Sequence, residues 1–127
     1  MSTTQALEEG RLRRDEFASW IVTIGITACA FVLRLVGLAN PKTLSFDETY
    51  YAKDAWTLIN HGYELDWKEH ANDRIVAGDI DQVTNNPSFV VHPPLGKELI
   101  GLGEQLFGLN SFGWRFSALI AGTLLVM

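Results

Sequence analysis

Four groups of residues have the types and spacing to do chemistry. The first is Asp47-Glu48, an adjacent carboxylate pair. A carboxylate can take a proton from an alcohol where the leaving group needs little push from the nucleophile. The pair also has a structural reading. Ser45-Phe46-Asp47-Glu48 spells a capping box with Ser45 at the N-cap and Glu48 at N3, and Asp47 in the first turn complements the helix dipole. The second group is His92-Pro93-Pro94-Leu95-Gly96-Lys97, either a rigid helix entry with a snorkelling lysine or part of a site. The third is Arg115, at the mouth of an apolar run. Its guanidinium can anchor that run at an interface or hold a lipid-borne phosphate with a two-pronged contact. The fourth is Arg34, four residues from the end of an earlier apolar run, where snorkelling accounts for a cation.

Other matches carry little. Asp79-Ile80-Asp81 fits a D-x-D metal motif, but seven aspartates in 127 residues give about 0.4 such matches by chance. His61, His70 and His92 lack metal-ligand spacing. Asn86-Pro87-Ser88 is no glycosylation sequon, because proline fills the middle position. The single cysteine, Cys29, lies inside an apolar run, so the sequence offers neither a disulfide framework nor a cysteine metal cluster.

The elements that must position these groups are segregated along the chain. It has 127 residues, 47% hydrophobic and 20% charged, with a formal charge of −5. That acidic balance argues against a nucleic-acid partner. Residues 20–38, WIVTIGITACAFVLRLVGL, hold one charge, Arg34. At ~1.5 Å per residue they reach ~28 Å, about one bilayer hydrocarbon core. The run is longer than a signal-peptide core and lacks a good cleavage site, so it reads as a retained span. Residues 1–19 carry Arg11, Arg13 and Arg14, which places them in the cytoplasm by the positive-inside rule. Residues 39–111 then emerge on the outer face as a loop with five Lys/Arg and eleven Asp/Glu.

Within that loop the spacing predicts a helix after Ser45, with apolar positions Phe46, Tyr50, Ala55, Leu58 and Ile59 and a stop at Asn60-His61-Gly62. Residues 63–91 hold turn formers and little periodicity, and read as irregular loop. Pro94 opens a second helix near N1, with the stripe Leu95, Leu99, Leu102 and Leu106. Both helices suit a membrane interface better than its core. Residues 112–127 begin a second span that is still apolar at Met127. The expectation is an all-α, polytopic membrane protein of which this chain is the N-terminal part.

Several of these residues together resemble the start of protein O-mannosyltransferases, in their actinobacterial form. The likeness covers roughly residues 30–127. It rests on the order and spacing of Arg34-Leu35, Pro41, Phe46-Asp47-Glu48-Thr49-Tyr50-Tyr51-Ala52-Lys53-Asp54-Ala55, His92-Pro93-Pro94-Leu95-Gly96-Lys97 and Gly113-Trp114-Arg115-Phe116. The family consists of polytopic GT-C glycosyltransferases, and the resemblance implies a multi-pass protein of the plasma membrane. They move mannose from polyprenyl (or dolichyl) phosphate mannose to serine or threonine of exported proteins. The resemblance implies an inverting transfer with Asp47 as base and Glu48 ordering the site. It places Arg115 near the donor phosphate, with Arg34, His92 and Lys97 in supporting roles. It implies no metal and no cofactor beyond the lipid donor. Wider GT-C relatives, such as lipid A aminoarabinose transferases, share an acidic pair and a Pro-Pro-Leu run, but in them a lysine usually precedes the two prolines, where this chain has His92 and Gly96-Lys97 follows. Two rivals stand beside this reading: a transferase with a lipid or polysaccharide acceptor, and a short non-catalytic membrane partner. The family needs about ten or more spans, so this length of chain is expected to be inactive alone.

Overall fold

The computed structural model describes residues 3–127. Met1 and Ser2 of the expected cytoplasmic segment lie outside them. Helix α1 (Thr3–Leu35) takes up the apolar run and continues N-terminally through the arginine-rich segment. Its stretch from Glu8 to Leu35 is long and apolar enough to cross a membrane, and none of that stretch's apolar window is buried against the rest of the chain. A helix whose apolar sides face outward needs an apolar surrounding, as a bilayer provides. The helix stops at Leu35, three residues before the expected end, and Gly37 turns the chain at φ 78°.

Helix α2 (Glu48–His61) ends where the sequence predicts. Gly62 takes the left-handed conformation and its N–H donates to the Leu58 carbonyl. Its start differs from expectation. Only half of the capping box is made: the Ser45 N–H donates to Glu48 Oε2 at 3.1 Å, while Asp47 occupies the N-cap position and no side chain caps the helix. The buried face differs too. Phe46 lies outside the helix and Tyr50 is exposed, whereas Ala52, Asp54, Ala55 and Thr57 are buried. The small residues on that face let α4 (Pro94–Phe107) approach closely. Gly101 makes the fit possible, since a Cβ there would run into the Ile59 side chain and lie 2.9 Å from the Ala55 carbonyl oxygen.

The expectation of irregular loop over 63–91 is corrected by two short strands and a short helix, in a chain that is otherwise mostly helical. Strands β1 (Leu65–Trp67) and β2 (Val83–Pro87) pair antiparallel, Leu65 opposite Pro87 and Trp67 opposite Val83, with an irregularity between. A short helix, α3 (Ala71–Val76), connects them. Leu65 and Trp67 point into the interior with Asp66 outward, a period-two pattern too short to stand out in the sequence. The core that holds the hairpin consists of Ala52, Trp67, Ala71, Ile75, Leu109 and Trp114, with Leu44, Trp56, Val83 and Ile100 packed on it.

Helix α4 opens with Pro94 in its first turn after extended Pro93, as predicted. Its leucines Leu95, Leu99, Leu102 and Leu106 stay exposed, so the apolar stripe is left largely uncovered by the described residues. Helix α5 (Ser111–Leu124) is capped by Asn110, whose Oδ1 accepts the N–H groups of Phe112 and Gly113 at 3.1 Å each. The Ser111 hydroxyl donates to the Ala39 carbonyl at 2.8 Å. That bond ties the start of α5 to the end of the α1 turn.

Candidate active site

Asp47 and Glu48 are neighbours in sequence but point apart, because successive positions at a helix start are ~100° apart around the axis. Asp47 is exposed, and its carboxylate makes no hydrogen bond or ion pair among the described residues. It lines a cavity of about 510 Å³ together with Tyr50, Lys53, Asp54, Asp66, Ser88 and His92, among others. Burial lowers the Lys53 pKa there, against the attraction of Asp54 and Asp66. Besides α2 and β1, the cavity is walled by Ser88, Phe89, Val91 and His92 of the segment after β2. His92 sits in the left-handed region (φ 73°) and meets the Tyr51 ring edge-on, centroids 5.3 Å apart.

Glu48 turns instead toward α5, where Arg115 grips it with both prongs. Nε is 2.6 Å from Oε1, and one terminal nitrogen is 2.8 Å from Oε2. Burial works to raise the Glu48 pKa. The Arg115 hydrogen bonds, the Ser45 N–H and the Arg115 charge outweigh it and hold the carboxyl below its ordinary value. The remaining Arg115 donors reach backbone carbonyls of the turn after α1: Leu38 at 3.0 Å, Pro41 at 2.8 Å and Thr43 at 3.3 Å. All five guanidinium hydrogens are thereby spent within the chain. Arg115 is thus a clasp joining α5, the 38–43 turn and the start of α2, with no donor left over for a phosphate in this arrangement.

Arg34 is placed elsewhere. Its guanidinium turns back along α1 to donate to the Ala30 carbonyl at 3.2 Å, and its side chain lies over Gly122 of α5. It therefore points away from the helix end rather than snorkelling toward it. Lys97 is not a surface lysine either. It is buried, with Nζ 2.9 Å from both Asp54 Oδ2 and Glu64 Oε2. The structure therefore brings Asp47 and His92 to one cavity, sets Glu48 and Arg115 together beside it, and puts Lys97 behind its wall. Asp54 and Glu64 were missed by sequence reasoning. Asp54 follows Asp47 by seven residues, two helical turns, so that spacing alone puts both on one face. Glu64 gave no local signal. Asp79 of the D-x-D match is engaged by Gln82 and Arg74 at the surface. Among the described residues, no three His, Cys, Asp or Glu side chains are arranged to hold a metal ion.

No family model matches the chain, and no solved structure does. Curated relatives do. A polyprenol-phosphate-mannose–protein mannosyltransferase of Mycolicibacterium smegmatis is 38% identical over 118 residues, covering 89% of this chain. Its namesake in Mycobacterium tuberculosis is 40% identical over 118 residues, and that of Corynebacterium glutamicum 36% over 106. By sequence, the chain belongs with the protein mannosyltransferases. It spans about 19% of the length of the mycobacterial relatives. Such enzymes are glycosyltransferases, and one helix here is of a kind that crosses membranes.

Proposed function

We propose that this chain supplies the acidic outer loop of a membrane mannosyltransferase of GT-C type. The enzyme transfers mannose from polyprenyl phosphate mannose to Ser or Thr hydroxyls of exported proteins, with inversion. The observation that carries this reading is the division of labour in the acidic pair. Asp47 is an unengaged carboxylate on a cavity wall, and Glu48 is locked by Arg115. Asp47 takes the proton from the acceptor hydroxyl as its oxygen attacks the anomeric carbon. The bond from that carbon to the phosphate oxygen breaks, and polyprenyl phosphate leaves as an anion. A stabilised leaving group of this kind lets a carboxylate suffice as base, without a metal. Glu48 and Arg115 hold the start of α2 so that Asp47 faces the cavity.

The arginines at positions 11, 13 and 14 support a cytoplasmic N-terminus by the positive-inside rule, and in this reading the loop faces outward across the plasma membrane. Helix α4 lies at the interface with its uncovered leucine stripe toward lipid, and α5 starts a second span. The rest of the donor site comes from later spans, so this length of chain is inactive alone. The test is a transfer assay in membranes that express the complete coding sequence. Labelled mannose should pass from polyprenyl phosphate mannose to a Ser/Thr peptide and not to its alanine counterpart. Transfer to lipid or polysaccharide with none to peptide would overturn the acceptor assignment.

A further inference from the structure

Lys97, Asp54 and Glu64 form a buried triad that the proposed chemistry does not use. Their side chains are 2%, 6% and 5% exposed. One ammonium serves two carboxylates, and the cluster joins parts of the chain far apart in sequence. Asp54 comes from α2, Glu64 from the turn before β1, and Lys97 from the first turns of α4. A fourth segment is tied in at Ser88. Its hydroxyl lies 3.4 Å from Asp54 Oδ1, and its N–H donates to the Glu64 carbonyl at 3.0 Å. Ser88 begins the stretch that ends at His92 and forms the cavity wall facing α2.

Stability alone explains the triad poorly. Buried ion pairs often contribute no more than apolar groups of the same size would, while demanding strict geometry. What they supply is a fixed arrangement of the parts they join. Here those parts are α2, which carries Asp47 two turns before Asp54, and the 88–92 wall across the cavity from it. Burial pulls the Lys97 pKa down, but the hydrogen bonds that its ammonium donates to Glu64 and Asp54, with the charges of both carboxylates, more than offset this, so the ammonium stays charged.

We infer that Lys97, through Asp54 and Glu64, is a positioning residue: it sets the width of the cavity between Asp47 and the 88–92 wall, and thereby the fit of the acceptor chain. The inference rests on the proposed mannosyl transfer for its kinetic consequence, and on the structure alone for its structural one. The triad touches no reacting atom. Losing it lets the 88–92 segment move away from Asp47, so acceptor binding suffers before donor binding does.

The experiment uses the full-length enzyme in detergent with three variants: Lys97→Arg, Lys97→Met, and the neutral triple variant Lys97→Met/Asp54→Asn/Glu64→Gln. The triple variant leaves no unpaired buried charge, which keeps it foldable where Lys97→Met alone fails. Two readouts are taken on folded protein only. The first is hydrogen exchange over residues 88–92, where the Ser88 amide should lose protection by at least tenfold in the triple variant and recover partly in Lys97→Arg. The second is kinetics. The acceptor kcat/KM should fall on the order of 10²-fold, as for a displacement of about 1 Å, while the donor KM stays within about twofold. Unchanged exchange at Ser88 would overturn the inference whether or not the enzyme transfers mannose. Wild-type acceptor kinetics in folded triple variant would overturn it as well, leaving the triad a matter of folding only. Absence of transfer by the wild-type enzyme, with the exchange change present, would overturn the mannosyl reading and leave the wall-setting role standing.

Discussion

Replacing Arg115 by lysine separates two roles that the sequence leaves open. Arginine here makes five hydrogen bonds, two of them to the ionised Glu48. Lysine keeps the charge but offers donors from a single point, so it can hold Glu48 or the 38–43 carbonyls and not both. A hydrogen bond to a charged group is worth about 1.5–3 kcal/mol when buried. This pair is 14% and 27% exposed, so water screens it and replaces part of what is lost. A net loss of about 2–3 kcal/mol follows, concentrated at the start of α2, one residue from Asp47. If that loss is felt in the transition state, kcat falls on the order of 10²-fold. The assay is steady-state transfer by full-length enzyme, normalised for folded protein, with donor and acceptor varied in turn. A clasp predicts a fall in kcat with both KM values within about twofold. Glu48→Gln should give a loss of similar size, and the double variant should lose little more, because the two residues act as one unit. A selective rise in donor KM, or additive losses, would refute the clasp and restore a phosphate role for Arg115.

Glu104 is buried with both carboxylate oxygens unpartnered among the described residues, and burial pushes its pKa up to about 9. Its ionisation is therefore favoured on unfolding, and the resulting penalty is absent below about pH 4.5 and grows as pH rises toward 9. At pH 7.5 it amounts to about 4 kcal/mol. Glu104→Gln should flatten the fall in Tm between pH 5 and pH 8, which a thermal series in detergent would show; an unchanged slope would contradict the neutral assignment. Gly101→Ala should destabilise by about 1–3 kcal/mol, since its methyl meets Ile59 and the Ala55 carbonyl, and a denaturation midpoint would measure it. A cysteine placed at exposed Glu69 in a Cys29→Ser background should react with an impermeant reagent from outside intact cells; reaction only after permeabilisation would reverse the orientation.

What the sequence made legible was local. The long apolar run, the Gly62 stop and the Pro94 start each depend on residues within one or two turns, and the structure has all three. The β1–β2 hairpin was not legible, because VTNNP is a poor strand sequence and β1 is three residues long. Those strands exist because Leu65 and Trp67 are buried beside α2 and α3, a tertiary effect that overrides propensity. The capping box was half right, since Glu48 accepts the Ser45 N–H as expected while both of its oxygens are also held by Arg115, 67 residues away. The acidic pair was visible as a candidate site, but the different engagement of its two members was not. Lys97 read either as a snorkelling lysine or as a supporting site residue, and its burial was not legible because its partners lie 43 and 33 residues earlier and nothing near it in sequence marks them.

The central claim is that Asp47 is the base, and one comparison tests it most directly. Asp47→Asn keeps volume but removes the proton acceptor, and Ser45→Ala serves as a neighbouring control. The Ser45 hydroxyl makes no capping bond here, so its loss should cost under about 0.5 kcal/mol, within the usual surface range. Mannose transfer from polyprenyl phosphate mannose to a Ser/Thr peptide is followed in membranes normalised for full-length enzyme. The account predicts that Asp47→Asn loses on the order of 10² to 10⁴ in rate, with Ser45→Ala close to wild type. Near-normal transfer by Asp47→Asn, or equal losses in the two variants, would contradict it.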